Sequence, residues 1–211
     1  MHGIDTLITA ALISGLIGPF VVKLTEVVVT SWKERKAKKI TLGLNDPLTD
    51  AIENSESVNL YIHGIATEFN FDRAWVSMFH NGGHYYPTGK SIQKFSTFYE
   101  VSKPGISTIQ RQFTNMPVSL IPKSIGEVYK KGKLFVDIED EDTFDLEPSM
   151  YASGTQTTFI FALTNLEGKF FGMVGFDVVK ESRKLTQDEE EALESKVNTL
   201  SGYIFEYLHD K

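Results

Sequence analysis

A chain of 211 residues has room for one full domain and an appendage, and its 41% apolar content, with fifteen Phe and eight Tyr, supplies a ring-rich core. The absence of cysteine excludes disulfides, thiolate catalysis, zinc–thiolate sites and thioether-linked chromophores. The net charge of −7 is uneven: residues 1–39 carry six Lys or Arg against Asp5, Glu26 and Glu34, so the remainder carries −10, which argues against a nucleic-acid partner.

Thr6 to Val22 is a run of seventeen residues without charge, and LTEVVVTSW extends it to Trp32. Interrupted only by Lys23 and Glu26, this stretch is long enough to span a bilayer with tilt. Five cations follow within Lys33–Lys39, whereas none precedes Lys23. The asymmetry predicts a single-pass inner or plasma membrane helix with the C-terminal domain in the cytoplasm. The same residues also fit a helix lying on a membrane surface, or one packed in a protein assembly through Gly15, Gly18 and Pro19. No basic region precedes the run, so a cleaved secretory signal is not expected.

Asp46 as N-cap and Pro47 at the first helical position start a helix expected over about 47–68, with Leu48, Ile52, Val58, Ile62, Ile65 and Phe69 near helical spacing. Arg73–Phe79 reads as a strand, ended by turn glycines in His80-Asn-Gly-Gly83. Lys94–Val101 reads as a second strand, with Phe95, Thr97, Tyr99 and Val101 on one face and Ser96, Phe98 and Glu100 on the other. A short helix over about 119–129 leads to a strand at 134–138, then an acidic loop from Glu139 to Glu147. Two strands, 156–164 and 169–179, form a hairpin across Asn165–Gly168. Thr186 and Glu189 form a capping box for a last helix whose stripe is Leu193, Val197, Leu200, Ile204 and Tyr207. Strands grouped between helices indicate an α+β fold with an antiparallel sheet.

This order resembles the GAF-domain family. The resemblance rests on Gly168 in the hairpin loop, on Phe171-Gly-Met-Val-Gly-Phe-Asp177, on Leu185-Thr-Gln-Asp-Glu189 opening the last helix, and on Gln112-Phe-Thr-Asn-Met-Pro-Val-Ser119. It covers Asn45–Leu208 and divides the chain into an N-terminal hydrophobic helix with basic flank (1–39) and a GAF-like domain (40–211). The resemblance implies a six-stranded antiparallel sheet with helices on one face and a ligand pocket on the other, small-molecule binding, and a homodimer built through the terminal helices. The Asn-Lys…Phe…Asp-Glu signature of cyclic-nucleotide-binding members is absent, and so is the cysteine that bilin-linked and methionine-sulfoxide-reducing members need.

The densest polar and aromatic cluster is Phe79–Lys90, FHNGGHYYPTGK. Glycines there let a backbone approach a ligand, and Phe79, His80, Asn81, His84, Tyr86 and Lys90 offer donors and stacking faces. Phe98, Glu100 and Arg111 join them if the family geometry holds, Arg111 as a carboxylate or phosphate partner. This set fits a nucleotide or an anionic metabolite, while a hairpin merely covering the core edge fits it too. His80 and His84 are four apart, but Gly82 and Gly83 argue against the helix a zinc pair would use, so no metal is expected. No nucleophile–base–acid set and no phosphate-binding Gly-rich loop is present. The chain thus reads as a membrane-anchored, non-enzymatic sensor without cofactor. The competing reading is a structural or interaction module that keeps the fold but holds no ligand.

Overall fold

The computed structural model describes residues 47–85, 87–138 and 144–209. The N-terminal hydrophobic helix expected over 1–39, Tyr86 and most of the acidic loop lie outside the described residues. Among the described residues no helix is long and apolar enough to cross a membrane.

Helix α1 spans Pro47–Glu68. Of the expected stripe, Val58, Ile62, Ile65 and Phe69 are buried, whereas Leu48 and Ile52 near the start of the helix are exposed, so the stripe holds only from Val58 onward. It ends where Asn70 turns left-handed (φ 57°) and the Phe71 N–H reaches the Ala66 carbonyl. A short polar side chain tolerates that conformation best after glycine.

Strands β1 (Arg73–His84) and β2 (Ser91–Ser102) form a long antiparallel hairpin. Two departures from the sequence expectation occur here. First, β1 does not stop at Phe79: pairing continues through Asn81 opposite Gln93 and His84 opposite Ser91. The alkyl stem of Lys94 crosses Gly82, where an added Cβ would sit 2.3 Å from it. Gly82 thus serves a close approach within the ribbon, not a turn. The turn lies further on, closed by Tyr85 N–H donating to the Lys90 carbonyl and Gly89 N–H donating to the Tyr85 carbonyl. Second, Val76 pairs with Tyr99 but Ser77 pairs with Thr97. Phe98 is therefore a bulge residue, and the bulge reverses the alternation expected for β2. Phe95 falls in one core and Tyr99 in the other, so the predicted common face for Phe95, Thr97, Tyr99 and Val101 is corrected.

After β2 an irregular connector leads to β3 (Met116–Pro117), a 3-10 turn (Val118–Leu120) and α2 (Pro122–Lys131). No side chain of Ile121 caps α2; instead Asp145 accepts the Lys123 and Ser124 N–H groups and the Ser124 hydroxyl. Strand β4 (Lys133–Asp137) and the short helix α3 (Glu147–Ala152) follow, then β5 (Thr157–Thr164), β6 (Phe170–Val178) and α4 (Gln187–His209). The capping box is in place: Thr186 N–H donates to Glu189 Oε2 at 2.9 Å and Glu189 N–H to Thr186 Oγ1 at 3.3 Å.

The sheet has six strands in the order β3-β2-β1-β6-β5-β4, every pair antiparallel. It carries a core on each face. Under α1 and α4 lie Val76, Tyr99, Phe159, Phe161, Val174 and Phe176 with Ile62, Leu193, Val197 and Leu200. On the other face Trp75, Phe95, Ile160 and Met173 meet Ile109, Phe113, Ile125, Val128 and Met150 from the connector, α2 and α3.

Candidate functional site

The second face is organised by charge at one end. Arg73, which opens β1, is fully buried beside its cross-strand partner Asp177 on β6. Its Nε donates to Asp177 Oδ2 at 2.7 Å, Nη1 to the Ser107 carbonyl at 2.7 Å, and Nη2 to Thr155 Oγ1 at 2.5 Å and Ser153 Oγ at 3.1 Å. Asp177 also accepts the Trp75 indole N–H at 3.2 Å and the Thr158 hydroxyl at 2.6 Å. Every ligand of this pair is a protein group, so it ties the connector and the α3–β5 loop to the sheet. The Trp75 indole lies against Gly175, where a Cβ would stand 2.1 Å from it.

Between the sheet and the connector–α2–α3 layer, a cavity of about 10 Å³ remains, lined by Trp75, Ser77, Phe95, Phe113, Ile125 and Met173 among others. That is space for roughly one water. The residues filling this layer are the chain's own apolar side chains.

An open cleft of about 380 Å³ lies elsewhere, at the outer edge of β2, lined by His80, Ser96, Thr97, Phe98, Gln110, Thr114 and Asn115. The Phe98 bulge builds one wall: the ring is 48% exposed and meets the His80 ring edge-on, centroids 6.3 Å apart. The floor is a relay. Asn115 N–H donates to Ser96 Oγ at 2.8 Å, and Ser96 Oγ is 2.8 Å from His80 Nε2. Asn115 sits at φ 55°, the left-handed region that asparagine, like Asn70, enters more readily than other side-chain-bearing residues. Opposite, Thr97 N–H donates to the Phe113 carbonyl and Gln110 Nε2 to the Phe98 carbonyl at 3.3 Å. The connector thus has two sides: Ile109 and Phe113 plug the second core, while Gln110, Thr114 and Asn115 line the cleft.

Of the nine residues singled out in the sequence, the structure brings His80 and Phe98 together in this cleft. Glu100 turns to the connector and accepts the Ile109 N–H at 2.9 Å and the Gln110 N–H at 2.8 Å. Phe79 stacks edge-on with Phe170 and Phe95 on the second face. Asn81, His84 and Lys90 lie farther along the β1–β2 ribbon, Asn81 bonded to Ser91 and Gln93. Arg111 is exposed beside Gln110, and Tyr86 lies outside the described residues. Ser96, Gln110, Thr114 and Asn115 were not anticipated; no spacing pattern marks residues that meet only across a bulged edge.

Charge is segregated around this edge. Between Arg73 and Gly126 stand six Lys or Arg against one acid, Glu100, in a chain of net charge −7. Arg73 is bound to Asp177 and Lys103 to Asp72. Lys90, Lys94, Arg111 and Lys123 have no carboxylate partner among the described residues. No group of three or more His, Asp or Glu converges among the described residues as a metal site would require.

No protein-family model and no curated protein matches the chain. Solved structures do. The PixJ GAF domain of Thermosynechococcus elongatus in its blue-light-absorbing form superposes with TM-score 0.58 at 14% identity, over 77% of this chain and 90% of that one. A phycocyanobilin-bound GAF domain of a cyanobacterial phytochrome gives 0.57 at 14% identity, over 88% and 97%. The GAF domain of a Bacillus halodurans sensor histidine kinase gives 0.52 at 13% identity, over 69% and 92%. The fold is GAF-like. The sheet and the placement of α1 and α4 on one of its faces agree with the resemblance read from the sequence, whereas the other face, where that resemblance implies a ligand pocket, is filled by apolar side chains of the connector, α2 and α3. At this identity the likeness speaks for the fold alone.

Proposed function

We propose that this GAF-like domain is a small-ligand sensor whose ligand sits in the cleft at the β2 edge. The observation that carries the reading is the cleft itself: about 380 Å³, one aromatic wall, convergent polar groups, and no carboxylate in its lining. The flanking Lys94 and Arg111 favour an anion, a nucleotide or an anionic metabolite. A bilin attached through a thioether is not proposed, because the chain has no cysteine. Nor is turnover proposed; the cleft binds and reports.

The sensor is further proposed to be anchored by the apolar segment that ends at Trp32 and to pair as a homodimer through its terminal helices. The cationic run Lys33–Lys39 supports the anchor, and Ile52 and Leu60, both more than half exposed on α1, support the dimer. A ligand signal would then pass through oligomer state or through α1 toward the membrane.

Calorimetry of the full-length chain against a panel of nucleotides and anionic metabolites tests the ligand. At least one member binds, and Phe98→Ala weakens it by tenfold or more, about 1.4 kcal/mol. If no member binds, the interaction-module reading takes over. One observation favours that second reading: the layer between the sheet and α2 is already filled, so the fold needs no ligand to complete its core.

A further inference from the structure

His80 and Ser96 form a donor–acceptor relay whose polarity is set by the proton on His80. Ser96 Oγ accepts the Asn115 N–H and lies 2.8 Å from His80 Nε2, to which it donates when the neutral ring carries its proton at Nδ1. His80 Nδ1 faces the Asn81 carbonyl at 3.4 Å, which suits an N–H at that atom. In this neutral arrangement the relay is closed: Asn115 N–H to Ser96, Ser96 O–H to His80. Nothing in it is offered to the cleft.

A second proton on His80, at Nε2, inverts the relay. Nε2–H must now donate, and the acceptor in reach is Ser96 Oγ. The Ser96 hydroxyl then accepts two hydrogen bonds, and its own proton has to leave the His80 direction. Ser96 is 8% exposed, and its exposed side lines the cleft. The same step therefore places a hydroxyl donor and an imidazolium charge at the cleft together.

We propose that the cleft is a proton-coupled oxyanion site: it takes up a sulfate-, phosphate- or carboxylate-bearing ligand together with one proton on His80, with the ligand's flat body against Phe98. The proposal rests on the sensor reading above and adds the chemistry of its ligand and its pH dependence. The groups facing His80 agree with it. From β2 these are Lys94, its cross-strand partner, with Ser96 and the Phe98 ring. From the connector they are Gln110, Thr114 and Asn115, with Arg111 next in sequence. On β1 itself they are Asn81 and, farther along the ribbon, His84. Glu100, the one acid between Arg73 and Gly126, is held by the Ile109 and Gln110 N–H groups. Among the described residues no carboxylate lines the cleft, so the charged ring has only the neutral Ser96 and Asn81 oxygens for its N–H groups until an anion arrives and supplies the countercharge.

Sulfate is the probe, because it stays a dianion from pH 6 to pH 8 and leaves all the titration to the protein. The full-length chain in detergent is titrated with sulfate at both pH values, with the His80 ring followed by NMR. Affinity is expected to fall about tenfold or more from pH 6 to pH 8. Sulfate should also raise the pH at which the His80 ring titrates. His80→Gln, which keeps a neutral hydrogen-bonding side chain, should flatten the pH dependence, whereas His63→Gln on α1 should leave it intact. Equal affinity at both pH values overturns the proton coupling while leaving an anion site in place. Failure of sulfate to perturb His80 at either pH overturns the oxyanion site, and the nucleotide and metabolite panel then decides the sensor reading separately. A pH dependence that persists in His80→Gln also overturns it, assigning the proton to another group.

Discussion

The two faces of the sheet are closed in different ways. Under α1 and α4 the closure is helical and apolar: two helices of 22 and 23 residues lay regular stripes on Phe159, Phe161, Val174 and Phe176. On the other face the cover is irregular, made of a connector, a 10-residue helix and a 6-residue helix. Short covering elements cannot bring enough apolar surface to hold themselves. They are pinned by polar groups instead: Arg73 with Asp177, Asp145 at the start of α2, and Glu100 under the connector. The regular face supplies stability, and the pinned face supplies loops on a rigid base, where binding groups collect.

The largest expected effect tests the pin. Asp177→Ala strips the partner from a buried guanidinium and leaves the Trp75 and Thr158 donors without their acceptor. A loss of about 3–5 kcal/mol is expected from the urea midpoint. Lys133→Ala, which removes a half-exposed partner of Glu190 and Glu194, should cost no more than about 1 kcal/mol. Similar losses for the two would erase the distinction.

Truncation of apolar residues separates the faces next. Leu200→Ala and Phe113→Ala both empty fully or nearly fully buried positions, and each should cost roughly 2–5 kcal/mol by chemical denaturation. Only Phe113→Ala should also weaken ligand binding at the cleft, because Phe113 and Asn115 belong to one connector. If Leu200→Ala weakens binding equally, the faces are not functionally distinct.

The smallest effect is acid sensitivity. Burial pushes the Asp145 carboxyl up, but the Ser124 hydroxyl and the Lys123 and Ser124 N–H groups outweigh it and hold it below the usual range. The Thr186 N–H acts first on Glu189, and Arg183 adds to it, again downward against burial. A carboxyl depressed in the folded state contributes stability above its unfolded pKa, about 4, and loses it as pH falls through the folded value. The melting temperature should therefore drop on acidification below about pH 4, and Asp145→Asn should flatten part of that drop. An unchanged profile in Asp145→Asn would remove the cap from the account of α2.

Local chemistry made much of the fold legible. The capping box at Thr186–Glu189, the hairpin loop ending at Gly168 (φ 76°) and the stripes of α1 and α4 are all short-range patterns. What escaped was non-local. A period of two runs through Phe95–Val101, and nothing in that stretch announces a bulge; it arises because Phe98 is squeezed out between the Val76 and Ser77 pairings. Gly82 and Gly83 look like a turn but lie within the ribbon, Gly82 crossed by the Lys94 stem and Gly83 at φ 106°. Arg73 reads as an ordinary strand start, since its partner is 104 residues away. The candidate site shows the same division. His80 and Phe98 carry recognisable chemistry, whereas Gln110, Thr114 and Asn115 gain a role only when the Glu100 carboxylate folds the connector against β2.

The central claim is that ligand is sensed at the β2 edge and not between the sheet and α2. Hydrogen–deuterium exchange of the full-length chain, with and without the tightest-binding member of the nucleotide and metabolite panel, tests it most directly. The account predicts new protection at Ser96–Phe98 and Gln110–Asn115 with little change across Ile121–Val128. Protection centred on Ile121–Val128 and Leu146–Met150, with the cleft unchanged, would contradict it.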